Sequence, residues 1–495
     1  MAMPGAGAES GARRGPRRDL VLFAAAIALL VAALARQIAV DAPLGHDEAI
    51  YAGGGREVLA GTPASGFELH RSVGMKLLAA AGLLLGPTER DLRSIVVLCS
   101  VGFLLAYRLL GARALGRWPA AWAALAMVTS FGFQRRGAEI LSDVPALLVL
   151  TVLVVVVMGQ LGRRGEGGRP GPWLLAAAPL AAGAFYLRYG LCTSLVGIAV
   201  AAAAAWWRPL AAGRWLALAT AGLFALLVAP HVIHSVRETG SPIGILQASG
   251  DAAHRAYLGQ GLVQLPAALA LEGGAVLLVL VVIGAVQGAR CLVRLRRERR
   301  HSRPPAEDRA TAFLWVASVF HIAATGLFAH AEFRYFLFGV AGLTLIGAAA
   351  LCTWAAPRGA VRLGVVAGLA LVAAAAVTDQ VNIARYTRLR DERQVLVAAA
   401  AELRRAAGPG RCAALTGQVS HIGWYSPCTA YPLNTPEAEL AGERRFLVVF
   451  ERARDHARDG RAALAALSRA HRVALVGRAA DRAQLYGDAV IYEIR

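Results

Sequence analysis

The chain has 495 residues, of which 57% are hydrophobic and only 17% charged, with a formal net charge of +20. A mean hydropathy of +0.51 excludes an ordinary soluble domain and points to a polytopic α-helical membrane protein. The basic excess does not signal a nucleic-acid partner, because the arginines gather in short loops between apolar runs, as the positive-inside rule expects.

Arg13, Arg14, Arg17 and Arg18 precede the first apolar run and place the N-terminal tail, 1–19, in the cytoplasm. Basic clusters recur at 113–117, 163–169, 208–214, 294–303 and 358–362. All of them fall on one side if there are about eleven spans. The runs that qualify are 20–40, 94–111, 118–134, 143–161, 172–187, 189–207, 214–230, 265–291, 311–330, 335–354 and 361–379. Three longer segments then lie outside: 41–93, 231–264 and the tail from about 380.

The first outer segment carries Gly45-His46-Asp47-Glu48-Ala49-Ile50-Tyr51, with Arg56 just beyond. Adjacent carboxylates beside a span are costly, so Asp47 and Glu48 suggest chemistry at the membrane face. They could also serve as an acidic helix start favoured by the dipole. Gly66-Phe67-Glu68-Leu69-His70-Arg71-Ser72 leads into the apolar stretch Met75–Leu85, which Gly86-Pro87 ends. That stretch is too short to span and fits an interfacial helix. Its Lys76 either contacts a phosphate or snorkels to the interface.

Asp143 follows Ser142 and precedes Pro145, a helix-start pattern that does not exclude a functional role. Arg188 stands between two apolar runs in Tyr186-Leu187-Arg188-Tyr189, and Arg334 in Glu332-Phe333-Arg334-Tyr335. Either arginine could snorkel or hold an anion, since a guanidinium matches phosphate geometry. Two outer carboxylate sites and two near-membrane arginines at one aqueous boundary fit group transfer from a lipid phosphate or diphosphate.

After residue 388 charge rises and long apolar runs stop. β-like runs at Cys412–Leu415, Phe446–Phe450, Val473–Val476 and Ala489–Ile494 alternate with helix-like runs at Val395–Ala406 and Ala462–Ala470. The tail therefore reads as a small α/β domain. Cys412 and Cys428 are its only cysteines and form a candidate disulfide if the tail is outside. Cys99, Cys192, Cys291 and Cys352 have no metal-ligand spacing.

Asp47-Glu48-Ala49-x-Tyr51 after the first span resembles the motif of the GT-C glycosyltransferases. These polyprenyl-phosphate-sugar-dependent enzymes are related to protein O-mannosyltransferases and to the aminoarabinose transferase of lipid A. The resemblance extends through Gly86 and Arg93, Leu141-Ser142-Asp143-Val144-Pro145 and Glu332-x-Arg334-Tyr335, and covers most of residues 20–387. One departure stands out. Where the family often carries a Lys-Pro-Pro-Leu-like stretch, this chain has His70-Arg71-Ser72-Val73, so His70 or Arg71 has to supply the positive charge.

The resemblance implies a GT-C-like catalytic module at 20–387, with interfacial helices in the first outer loop, and an extracytoplasmic α/β domain at 388–495. It implies a transferase at the outer face of the cytoplasmic membrane that moves a monosaccharide, with inversion, from a polyprenyl-phosphate donor to a cell-envelope glycan, lipid or protein; the alternative reading of the same spans and charges is a polytopic transporter or lipid flippase without transferase activity. Asp47 would be the base and Glu48 its companion. Asp143, His46 and Tyr51 would position sugar or acceptor. Arg188, Arg334, Tyr335, His70, Arg71 and Lys76 would face the lipid phosphate. Some family members use a divalent cation and others do not; here no metal is expected to be required.

Overall fold

The structure, a computed structural model, describes residues 16–62, 64–66, 68–162, 169–251, 256–298, 305–330, 332–355, 360–436, 439–440, 444–452 and 456–495. Arg13 and Arg14 lie outside the described residues. So do Phe67, Ala331 and most of the basic loops around 163–168, 299–304 and 356–359.

Apolar runs become helices throughout the first three-quarters of the chain. The first span is α1 (Pro16–Ala39). The segment after it, 41–88, folds into α2 (His46–Ala60) and α3 (Val73–Leu85), packed on each other. Gly61, at φ 66°, ends α2 in the left-handed region that favours glycine. Leu77, Leu84 and Leu85 of α3 stay exposed, as suits a short helix lying at the interface. A capping box starts α4 (Glu89–Ala114): Thr88 Oγ1 accepts from the Asp91 amide and the Asp91 carboxylate accepts from Thr88 N.

The bundle continues with α5 (Arg117–Val128), α6 (Phe131–Ala138), α7 (Asp143–Gly162), α8 (Ala177–Leu187) and α9 (Cys192–Ala212). Then come α10 (Arg214–Thr239), α11 (Gly244–Asp251), α12 (Gln260–Ala268), α13 (Gly274–Glu298), α14 (Ala306–Phe328) and α15 (Phe333–Ala355). The last span opens α16 (Ala360–Ala407), which runs on past the 387/388 boundary into the tail as one helix.

Among the described residues, nine helical stretches are long and apolar enough to cross a membrane. Two of the eleven sequence segments are shorter. Segment 118–134 divides into α5 and α6, because Ser130 Oγ accepts from Phe133 N at 3.2 Å and starts a new helix. Segment 172–187 is a short apolar helix that stops at Arg188. The bundle is tied by packing and by a few polar links. α13 and α15 approach so closely that a Cβ on Gly284 would sit 2.0 Å from Leu343 O, and one on Gly347 2.1 Å from Leu280 O. Arg36 pairs with Asp379 at 2.6 Å and Arg108 with Asp19 at 2.7 Å, joining α1 to α16 and α4.

The tail forms a five-stranded sheet from β1 (Cys412–Thr416), β2 (Thr429–Tyr431), β3 (Arg444–Phe450), β4 (Val473–Ala479) and β5 (Ala489–Ile494), in the order β2-β1-β3-β5-β4. β1, β2 and β3 are parallel, and β5 is antiparallel to β3 and β4. Alternate residues of β1 and β3 serve opposite faces. Ala414, Phe446 and Val448 pack on Leu396, Ala399 and Leu403 of α16. Ala413, Leu415, Leu447 and Val449 pack on the other side, toward α18 (His456–Ala470). Between β1 and β2 sits α17 (Val419–Tyr425), and Cys412 is disulfide-bonded to Cys428 around it.

Candidate active site

A cavity of about 1390 Å³ opens where the N-terminus of α2, the 68–72 loop, the start of α7, the α8–α9 junction and the 329–335 segment converge. Asp47, His46 and Tyr51 line it from α2, and His70 and Arg71 from the loop. Asp143, Arg188, Arg334 and Tyr335 line it from the helical bundle. Residues spread over almost 300 positions of sequence thus meet in one chamber.

Its centre is a chain of alternating charges. Arg71 Nη1 donates to Asp47 Oδ1 at 2.8 Å, and Arg334 Nη1 lies 3.7 Å from Asp47 Oδ2. Arg334 also reaches Asp143 Oδ2, at 4.0 Å, and pairs with Glu332. Arg188 is ion-paired to Asp143. The Tyr335 ring carries both guanidinium groups, Arg188 at 4.5 Å and Arg334 at 5.1 Å from its centroid, a cation–π arrangement. Arg188 can turn into the cavity because α8 ends there: the residue is extended, at φ −159° and ψ 107°, between two helical turns.

Burial on its own raises the Asp47 carboxyl, but the guanidinium groups of Arg71 and Arg334, with His46, outweigh it and hold Asp47 below the ordinary carboxylate value of 3.8. The carboxylate therefore stays ionised, and able to accept a proton, as pH falls into the mildly acidic range. Replacing Arg71 with glutamine removes the nearest positive charge and leaves burial in place. The acid limb of a kcat/KM profile governed by Asp47 is then expected to move to higher pH, and an unmoved limb in R71Q would show that another group sets it.

Glu48 and Lys76 take other places. Neighbouring residues on a helix project about 100° apart, so when Asp47 faces the cavity Glu48 faces the core. Glu48 is 4% exposed. It accepts from Gly45 N (2.8 Å), Ile140 N (3.1 Å) and Arg93 Nε (3.2 Å) and Nη2 (3.3 Å), with Arg393 Nη1 at 3.9 Å. The carboxylate next to Asp47 is thus a structural anchor that ties α2 to α4, to the loop before α7 and to α16. Lys76 pairs with Glu57 between α3 and α2, away from the cavity lining.

Behind the arginines lies a supporting layer that the sequence motifs do not single out. Glu139 accepts from Arg135 (2.9 Å) and Arg136 (2.5 Å), and Arg136 approaches Glu332 at 3.7 Å. The spacing of Arg135 and Arg136 four and three residues before Glu139 is the signal that marks such pairs on one helical turn. His321 Nδ1 contacts Ser194 Oγ at 2.7 Å, and its Nε2 lies 2.9 Å from Tyr335 O. Among the described residues no three His, Cys, Asp or Glu side chains converge in a way that could hold a metal ion.

Helical bundle, α2–α3 segment and terminal sheet together make the GT-C glycosyltransferase fold, as likeness to solved structures shows. The chain is similar to ArnT from Cupriavidus metallidurans bound to undecaprenyl phosphate, with a TM-score of 0.63 and 14% identity over 96% of this chain and 97% of that one. The apo state of the same protein gives 0.60 at 14% identity, with the same shares covered. The oligosaccharyltransferase of Archaeoglobus fulgidus in its apo form gives 0.50 at 12% identity, over 86% of this chain and 70% of that one. No family model and no curated protein matches the chain. The multi-pass helical architecture expected from the sequence, with a small C-terminal sheet domain, is the one observed.

Proposed function

We propose that this protein is an integral-membrane glycosyltransferase that moves a monosaccharide from a polyprenyl-phosphate donor to a cell-envelope glycan, lipid or protein. The observation that carries this reading is one ionised carboxylate, Asp47, held between Arg71 and Arg334 in a cavity beside the membrane. The similar ArnT structure holds undecaprenyl phosphate, which supports a lipid phosphate as the ligand for those arginines.

In this scheme Asp47 takes the proton from an acceptor hydroxyl as its oxygen attacks the anomeric carbon. The bond from that carbon to the phosphate oxygen breaks, and its electron pair leaves with the phosphate. Attack from the face opposite the phosphate inverts the anomeric configuration, by the logic of inverting glycosidases. Arg188 and Arg334 stabilise the charge that gathers on the leaving group. Each guanidinium has five N–H donors, so both can keep Asp143 and still engage phosphate. Arg71 and His70 stand on the opposite wall, and Tyr51 and Asp143 face the sugar or acceptor.

The reaction side is the outer face of the cytoplasmic membrane, with the N-terminus inside and the sheet domain outside. The Cys412–Cys428 bridge supports that orientation, since disulfides persist in oxidising compartments. The test is release of polyprenyl phosphate from a sugar-loaded donor by the purified protein supplied with cell-envelope extract as acceptor, together with binding of undecaprenyl phosphate. Arg334→Ala is expected to weaken that binding roughly ten- to hundredfold, the loss of one or two charge-assisted hydrogen bonds. No release from any polyprenyl-phosphate sugar, or undiminished binding by R334A, would overturn the reading.

A further inference from the structure

The sheet domain reaches the cavity wall through α17. This helix is keyed in place by five polar contacts around it, four to the segment that holds α2 and α3 and one to α16. Tyr425 Oη accepts from Leu44 N at 2.7 Å, directly before α2. Arg56 of α2 donates to Trp424 O at 2.6 Å and lies 3.4 Å over the Trp424 ring. Arg404 of α16 donates to Tyr425 O at 2.8 Å. Ala430 N donates to Ser65 Oγ at 3.0 Å, and a Cβ on Gly423 would fall 2.4 Å from Ser65 Cβ, so only glycine allows the approach. The fifth contact is Ser420 Oγ with His46 Nδ1 at 3.0 Å.

That last contact has a different character from the rest. His46 lines the cavity and precedes Asp47, whereas Ser420 is 1% exposed and outside the cavity lining. The buried His421 ring lies close by, its centroid 6.1 Å from that of His46. Burial, with the nearby His46 and Arg393, pushes His421 down to about 3, so a neutral ring backs the contact. The bond fixes the rotation of the His46 ring and therefore the face it presents to substrate.

We propose that Ser420 is a positioning residue of the C-terminal domain, acting on the active site through His46. This rests on the transferase reading above. The sheet domain then contributes to turnover although it contributes no cavity-facing residue at this point.

The experiment is a double-mutant cycle on the full-length protein with Ser420→Ala, His46→Ala and the pair, measured as kcat and donor KM. S420A is expected to lower kcat roughly three- to tenfold, the worth of one hydrogen bond, with donor KM unchanged. The S420A/H46A pair is expected to match H46A alone. Wild-type kcat in S420A, or the same further loss in the H46A background, overturns the proposal. If the wild-type protein transfers no sugar from any polyprenyl-phosphate donor, the functional reading fails. The positioning claim is then decided by the ¹⁵N shifts of the His46 ring, identified by their loss in H46A: a change in S420A supports it, and identical shifts overturn it.

Discussion

Asp47→Asn is expected to lower sugar transfer by about 10²–10⁴-fold, the usual worth of a positioned general base, while leaving the protein folded and able to bind polyprenyl phosphate. Asparagine keeps the side-chain shape and an oxygen for Arg71, and loses the negative charge and with it the capacity to take a proton. The ion pairs it removes, to Arg71 and Arg334, are partly exposed, at 31% for the Asp47 side chain, and such pairs contribute less to stability than fully buried ones. The check is turnover measured beside thermal unfolding and lipid-phosphate binding on one preparation. Full turnover with an unchanged melting temperature would remove Asp47 from the base role.

The neighbouring residue should behave in the opposite way. Glu48→Ala leaves the Arg93 guanidinium, whose side chain is 1% exposed, without its carboxylate. It also strips Gly45 N and Ile140 N of their acceptor. Removing one partner of a buried pair typically destabilises by about 3–5 kcal/mol. The expected result is a large fall in melting temperature and in yield, with activity lost together with the fold. Glu48→Gln keeps an acceptor for the two amides and should fall between E48A and wild type. A stable but inactive E48A would mean that Glu48 touches substrate after all. Two adjacent carboxylates would thus be separated by one pair of measurements, one residue moving the rate and the other the stability.

Much of this fold is legible in the sequence because a membrane imposes a length. Apolar runs of about 20 residues mark spans without any knowledge of partners, and the four β-like runs of the tail all became strands. The breaks are harder to see. The helix change at Thr129-Ser130 lies inside an apolar stretch, where a single serine cap is easily taken for part of a span. β2 has three residues, too few for an alternation pattern. Asp47, Asp143, Arg188 and Arg334 are legible because charge at a membrane edge is conspicuous. The division of labour between Asp47 and Glu48 is not, since it depends on which face of α2 meets Arg93. Least legible is the His46–Ser420 contact, between residues 374 positions apart.

The unbroken α16 has a mechanical consequence. Forty-eight residues in one helix extend about 72 Å at 1.5 Å per residue, from the membrane into the core of the sheet domain. Arg393, in its last third, donates to Pro43 O at 2.8 Å, at the threshold of α2. The sheet domain is therefore carried on a stiff mast rather than a tether, and the α17 contact with α2 braces it at a second point. A body fixed at two points does not swivel about the first. Any opening and closing of the chamber then falls to its other walls, the one lined by α11 among them.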